Sequence, residues 1–270
     1  MSTLYEHKIL LNNISTIAWQ AGQKILEIYN ESVSSFPVKF KEDTSPITKA
    51  DMISHELILE KLTRLTPAIS IISEEGETLE RNSNEFWLVD PLDGTKEFIQ
   101  RNDEFTVNIA YIKNGEPVLG VVCAPALNLI YGGIVGSGAF KILSDKDRMP
   151  IQVQFNKNDN EEVIIVGSRR HGDPAYMETF LSKFEKPQLI AVGSSLKFCK
   201  VAEGTAHIYP RFGRTMEWDT AAGQAVLMAA GGSVSNLNGE TLLYGKHEFE
   251  NPHFIAYGSL NFLEKVINDD

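Results

Sequence analysis

Cysteine is nearly missing from this chain: 270 residues carry two, Cys123 and Cys199. Both stand among apolar neighbours. They read as buried free thiols in a reducing compartment, with no sign of a disulfide framework. Basic residues are also in deficit. Lys and Arg number 25 against 36 Asp and Glu, a formal charge of −11. A protein that coats nucleic acid needs a basic face, so a nucleic-acid polymer is not an expected partner. A phosphorylated small molecule stays compatible, because bound cations and a few local bases can reverse the sign of a site. The opening residues, Met1 to His7, lack a basic region followed by an apolar core, so no signal peptide is expected. Residues 117–140 contain no Asp, Glu, Lys or Arg, but Pro125, Asn128 and five glycines interrupt them. Buried strands joined by turns suit that stretch better than a transmembrane helix. The expected location is cytoplasmic; peripheral attachment to the inner face of the cell membrane and the oligomeric state are left open. No repeat or low-complexity tract is present.

What remains is an ordinary globular composition, 43% hydrophobic and 23% charged, long enough for one large domain or two lobes. Ile9, Leu10, Ile14, Ile17, Ala18, Ala21, Ile25 and Leu26 recur at helical spacing and predict a helix over about 5–30. Thr48 opens a second helix carrying Ile53, Leu57, Ile58 and Leu62, which Pro67 stops. Strands are expected at 69–72, 86–89, 105–112, 117–123 and 129–135. The alternation of Phe105, Val107, Ile109 and Tyr111 suits a half-buried antiparallel strand. Composition turns polar over 141–161, and the boundary between an α+β lobe (1–150) and an α/β lobe (151–270) is placed there. Beyond it, strands at 163–166, 189–192 and 207–209 alternate with helices at 174–184, 195–203 and 220–230.

Three acidic segments carry the chemistry. The run 86–89 ends in Asp90-Pro91-Leu92-Asp93-Gly94-Thr95. Pro91 fixes its own φ and Gly94 permits a turn other residues resist, so a stiff corner holds two carboxylates together. Clustered carboxylates repel and are costly to dehydrate; a hard divalent cation offsets that cost. Ser73-Glu74-Glu75-Gly76 ends another apolar run, and Met216-Glu217-Trp218-Asp219-Thr220-Ala221-Ala222-Gly223 opens a small-residue helix. Each has an ordinary alternative, a solvated turn for Glu74 and Glu75 and an N-cap for Asp219. Three such coincidences in one chain favour one shared site.

In combination, order and spacing these segments resemble the inositol monophosphatase superfamily of magnesium-dependent, lithium-sensitive phosphomonoesterases. Within it the likeness is to CysQ-type 3′(2′),5′-bisphosphate nucleotidases. It runs from about Lys41 to Gly232 and includes Thr48-Lys49-Ala50-Asp51 and Gly193-Ser194-Ser195-Leu196-Lys197-Phe198-Cys199. The resemblance implies a layered α-β-α-β-α fold of α+β and α/β parts, with the site between two lobes. It implies hydrolysis of 3′-phosphoadenosine 5′-phosphate (PAP) to AMP and phosphate. It also implies two or three Mg²⁺ ions, held by Glu74, Asp90, the Leu92 carbonyl, Asp93 and Asp219.

Phosphate monoesters resist hydrolysis because water is a poor nucleophile and the ester is already anionic; clustered divalent cations address both. The Thr95 hydroxyl could orient the attacking water with a carboxylate partner, for which the resemblance supplies Asp51. Thr48-x-x-Asp51 also reads as a capping box. Gly193, Ser194 and Ser195 open a helix whose N–H groups and hydroxyls could hold a phosphate, with Lys197 adding charge. His171 and Arg211 are further candidates for the second phosphate or the base. Gly94, with Glu74, Leu92, Asp93, Thr95 and Asp219, would border the substrate. Trp218 is read as packing the Asp219 corner.

Two other classes fit less well. Haloacid-dehalogenase phosphatases separate their aspartates by one residue, whereas Asp90 and Asp93 are separated by two. A non-enzymatic calcium loop needs alternating oxygen ligands over twelve residues, which Asp90-Pro91-Leu92-Asp93 lacks. Inositol monophosphatase and fructose-1,6-bisphosphatase remain alternatives within the superfamily.

Overall fold

The computed structural model describes residues 2–31, 39–40, 46–76, 83–144, 147–154, 162–168 and 173–259. Helix α1, Ser2–Tyr29, turns Leu11, Ile14, Ala18, Ala21 and Ile25 inward, the face its periodicity predicts. Strands β1 (Lys39–Phe40) and β2 (Pro46–Ile47) form a small antiparallel pair. Helix α2, Lys49–Leu65, starts at Thr48, whose hydroxyl accepts from the Ala50 N–H.

Both helices cover one face of a seven-stranded sheet whose strands lie in sequence order. These are β3 (Ser70–Ser73), β4 (Glu85–Asp93), β5 (Thr106–Lys113), β6 (Glu116–Ala124), β7 (Leu129–Ile134), β8 (Gly138–Leu143) and β9 (Met149–Ile151). The β3–β4 pair is parallel and the rest are antiparallel. Short helix α3, Thr95–Gln100, leaves the end of β4. The uncharged stretch 117–140 is thus strand β6, a 3₁₀ turn, strand β7 and the start of β8. Among the described residues no helix is long and apolar enough to cross a membrane.

A five-stranded sheet follows, in the order β11-β10-β12-β14-β13. Its strands are β10 (Val163–Gly167), β11 (Pro187–Ala191), β12 (Ile208–Arg211), β13 (Ser233–Asn236) and β14 (Phe254–Tyr257). Helices α5 (Leu196–Ala202) and α6 (Glu217–Ala229) fill the space between the sheets, and α4 (Pro174–Ser182) covers the far face of the second. The layers are α-β-α-β-α, as the resemblance implies. One apolar core, with Phe86, Leu88 and Val122 of the first sheet and Tyr209, Val234 and Phe254 of the second, joins both through α5 and α6.

The run of small residues in α6 is explained by how closely it approaches the first sheet. A Cβ on Gly120 would come within 2.8 Å of the Ala225 Cβ, and one on Gly133 within 2.6 Å of the Ala229 Cβ. This contact corrects one expectation. Strand β5 is not half-buried: Thr106 to Ile112 are all buried, because α1 covers one face and α6 the other. Strands β8, β9, β13 and β14 were not expected. Of these, β9, β13 and β14 are only three or four residues long, too short to show a period-2 pattern.

Candidate active site

Strand β4 continues four residues past the predicted end, through Asp93. In a regular strand, residues three apart point to opposite faces. Here Asp90 pairs with Asn108 and Asp93 with Thr106, so three steps on β4 match two on β5. That bulge inserts one residue and brings both carboxylates to the same side. Gly94 then takes φ 90°, the left-handed conformation that turns the chain into α3 and presents Thr95.

The other carboxylates arrive from separate elements. Glu74 follows β3, its N–H donating to the Val89 carbonyl at 3.1 Å. Asp219 is the third residue of α6; its Oδ2 accepts from the Met216 N–H at 2.8 Å. Asp51 stands at the same place in α2, and its Oδ2 accepts from the Thr48 N–H at 2.7 Å and from the Thr48 hydroxyl. In both helices one carboxylate oxygen satisfies the helix start. The other Asp51 oxygen, Oδ1, accepts from the Thr95 hydroxyl at 3.1 Å. The capping and site readings of Asp51 are therefore compatible, one on each oxygen.

Glu74, Asp90 and Asp219 each bring an oxygen within 4.8 Å of the others. Burial, then repulsion from Glu74, Asp93 and Asp219, pushes the Asp90 carboxyl well above its usual range. Burial and the charges of Asp93 and Glu74 do the same to Asp219. Asp93 is raised to about 6, by burial first, against the opposing pull of Lys197 and the Ser195 N–H. Such a donor set fits a hard divalent cation, which removes the repulsion and suits oxygen ligands. Asp93 itself borders this trio. Its Oδ2 accepts from the Ser195 N–H at 2.6 Å, with Asn108 and Thr106 at 3.3 and 3.4 Å. The Leu92 carbonyl lies 3.4 Å from the Thr95 hydroxyl.

Raised carboxyls set the sign of a pH effect. The folded, cation-free chain holds a proton on Asp93 up to about pH 6, whereas the unfolded chain releases it near 3.8. Stability without a cation should thus fall as pH rises from 4 through 6, by about 1–3 kcal/mol from Asp93 alone. Thermal unfolding in chelator across that range checks it, and adding Mg²⁺ should restore the loss at pH 7.

A cavity of about 470 Å³ opens beside these groups, bordered by Glu74, Asp93, Thr95, Lys197, Arg211 and Asp219, with Trp218 in its wall. Trp218 also packs against Phe249, as its packing assignment expects. The Gly193-Ser194-Ser195 turn lies there too, but its donors are differently engaged than expected. The Gly193 N–H donates to the Glu104 carboxylate at 2.6 Å, and the Ser194 hydroxyl to the Glu104 carbonyl at 2.9 Å. The Ser195 N–H is on Asp93 and its hydroxyl donates to Asn108 at 2.7 Å. These four groups anchor the turn before α5 to the end of β4 and the start of β5, while the turn itself lines the cavity. Ser194 holds φ 44°, a strained value for a serine beside a cavity.

Lys197 is the cation this turn supplies. Its ammonium donates to the Ser194 and Val192 carbonyls at 2.6 and 3.3 Å, and lies 5.3 Å from the Tyr209 ring centre. Burial brings it down to about 8. Arg211, at the end of β12, is buried against the same cavity and donates to the Arg214 carbonyl at 2.8 Å. His171 lies outside the described residues. Glu104, Thr106 and Asn108 were missed by sequence reading; they reach the site through contacts 87 to 90 residues away in the chain.

The model of the inositol monophosphatase family matches residues 8–264. The 3′(2′),5′-bisphosphate nucleotidase CysQ of Escherichia coli is 43% identical over 249 residues, 91% of this chain and 98% of that protein. The crystal structure of CysQ from Bacteroides thetaiotaomicron superposes with a TM-score of 0.77 at 38% identity, covering 92% of this chain and 97% of that one. SuhB from Bartonella henselae gives 0.79 at 25% identity, covering 97% and 99%. The chain belongs to the inositol monophosphatase family.

Proposed function

We propose that this protein is a Mg²⁺-dependent 3′(2′),5′-bisphosphate nucleotidase that hydrolyses PAP to AMP and phosphate. The observation that carries the reading is the pairing of one acidic trio, Glu74, Asp90 and Asp219, with a cavity whose other wall carries Lys197 and Arg211. The similarity to CysQ, which bears that activity in its name, supports the choice of substrate.

Glu74, Asp90, the Leu92 carbonyl, Asp93 and Asp219 are the proposed ligands of two or three ions. When bound, these cations supply positive charge that acidifies water and neutralises the phosphoryl and leaving oxygens. The protein's own part is orientation and proton transfer. The Thr95 hydroxyl donates to Asp51 Oδ1, which leaves its lone pairs to accept from the attacking water. The water proton passes to Thr95 Oγ1 as the hydroxyl proton moves to Asp51 Oδ1. Burial raises the Asp51 carboxyl, and this makes it a better base than an exposed carboxylate. Lys197 and Arg211 hold the second, unreacting phosphate, and Gly94, in the cavity wall beside Thr95, borders the reacting one. His171 remains a proposed contact to that phosphate or the base. The two-lobe division, 1–150 and 151–270, belongs to the same reading, as does a cytoplasmic location, for which the buried free thiols speak.

The metal-stripped protein should release no phosphate from PAP in excess chelator, and Mg²⁺ should restore AMP and phosphate in equal amounts. Lithium should inhibit at sub-saturating Mg²⁺, because a monovalent ion fills a position without its charge. Full turnover in chelator would sink the metal dependence. A rate indifferent to lithium across a Mg²⁺ titration would overturn the lithium expectation alone.

A further inference from the structure

Helix α2 does more than carry Asp51. Three polar side chains on its inner face, Asp51, Ser54 and His55, are buried, and each reaches a different part of the site. Asp51 meets Thr95. The Ser54 hydroxyl donates to the Pro91 carbonyl at 2.7 Å, inside the corner that bears Asp90 and Asp93. His55 Nδ1 shares a hydrogen bond of 2.9 Å with the Ser73 hydroxyl, one residue before Glu74. The His55 ring also lies against the turn after Glu74: a Cβ on Gly76 would meet its Cε1 at 3.6 Å. The Gly76 N–H closes that turn on the Ser73 carbonyl at 3.0 Å.

Glu74 faces the buried Asp90 and the half-buried Asp219, which repel it when all three are ionised, on a turn held at its start by the Glu74 N–H and the Ser73 side chain. Without a tether the turn can relieve the repulsion by swinging Glu74 outward. A cation would then have to pull it back on binding, at a cost in affinity. We propose that His55, acting through Ser73, is a positioning residue that holds the Glu74 turn in place for cation binding. This rests on the metal-dependent reading of the site. The contacts of His55 are to Ser73 and the Gly76 turn rather than to a proposed substrate position, so its effect should fall on cation affinity rather than on the chemical step.

The test uses the full-length, metal-stripped chain and titrates Mn²⁺ or Mg²⁺ by calorimetry, without substrate. His55→Leu and Ser73→Ala each remove the bond, and His55→Asn keeps an amide group where Nδ1 stands. In the two disrupting variants the cation Kd should rise roughly three- to tenfold, as loss of one hydrogen bond behind a ligand predicts. The double variant should be no weaker than either single one, and His55→Asn should stay near wild type. In turnover assays, the Mg²⁺ concentration for half-maximal rate should rise while kcat at saturating Mg²⁺ stays within about twofold. An unchanged Kd in folded Ser73→Ala, losses that multiply in the double variant, or a fall in kcat alone would overturn the proposal. Failure of the wild-type chain to bind either cation would instead overturn the metal-dependent reading and this proposal with it.

Discussion

Asp93→Asn is expected to reduce phosphatase activity roughly a thousandfold or more, since several kcal/mol of transition-state stabilisation would depend on the cations it is proposed to help hold. The fold should survive. An amide oxygen can still accept from the Ser195 N–H, which now donates to Asp93 at 2.6 Å. Removing the charge also removes a buried carboxylate that burial and Glu97 disfavour, although it forfeits the attraction of Lys197. Without a cation, the variant should therefore melt at or slightly above the wild-type temperature. With Mg²⁺ it should gain much less stabilisation than wild type. Thermal melts with and without Mg²⁺, beside phosphate release, separate the outcomes. A variant that fails to fold would make Asp93 chiefly the anchor of the Gly193–Ser195 turn. One that keeps full activity would remove Asp93 from the reaction centre.

Asp51→Asn is the second large effect, about 10²- to 10⁴-fold in kcat, the usual contribution of a positioned base. The two oxygens of Asp51 divide the work. Oδ2 serves Thr48 and the start of α2, while Oδ1 accepts the Thr95 hydroxyl. An amide can keep the first role by turning its oxygen to Thr48. Its NH₂ then faces Thr95 and cannot take a proton. Thr95→Ala should cost a similar factor, and the double variant little more, because the two residues act as one unit. Losses that multiply would show two independent roles. A drop in melting temperature with little loss of kcat would leave Asp51 as a helix cap only.

The parts of this site visible in sequence are those with a local cause. Asp90-Pro91-Leu92-Asp93-Gly94-Thr95 announces itself because a proline, a glycine and two carboxylates must share one corner. The α1 stripe and the small-residue face of α6 are legible for similar reasons of spacing and size. The bulge that puts Asp90 and Asp93 on one side was not legible, since it depends on the register with Asn108 and Thr106 of β5. Nor was the docking of Gly193, Ser194 and Ser195 onto Glu104, Asp93 and Asn108. Those partners lie about 90 to 100 residues away, and no periodicity encodes them. In the ligand-free chain the donors of that turn serve to join the two sheets, an engagement that local sequence does not encode. Lys197 keeps its place beside the cavity because its stem is buried there and its ammonium is steadied by the Val192 and Ser194 carbonyls.

The measurement that bears most directly on the central claim is kcat/KM for PAP, inositol 1-phosphate and fructose 1,6-bisphosphate at saturating Mg²⁺. Adenosine 3′-phosphate should be run beside them, since it keeps the reacting group and lacks the second phosphate. The proposed function predicts PAP as the preferred substrate, by at least about tenfold over each of the others, with Lys197 and Arg211 as the proposed holders of its second phosphate. Equal values for PAP and adenosine 3′-phosphate, or a preference for inositol 1-phosphate, would contradict the nucleotidase assignment.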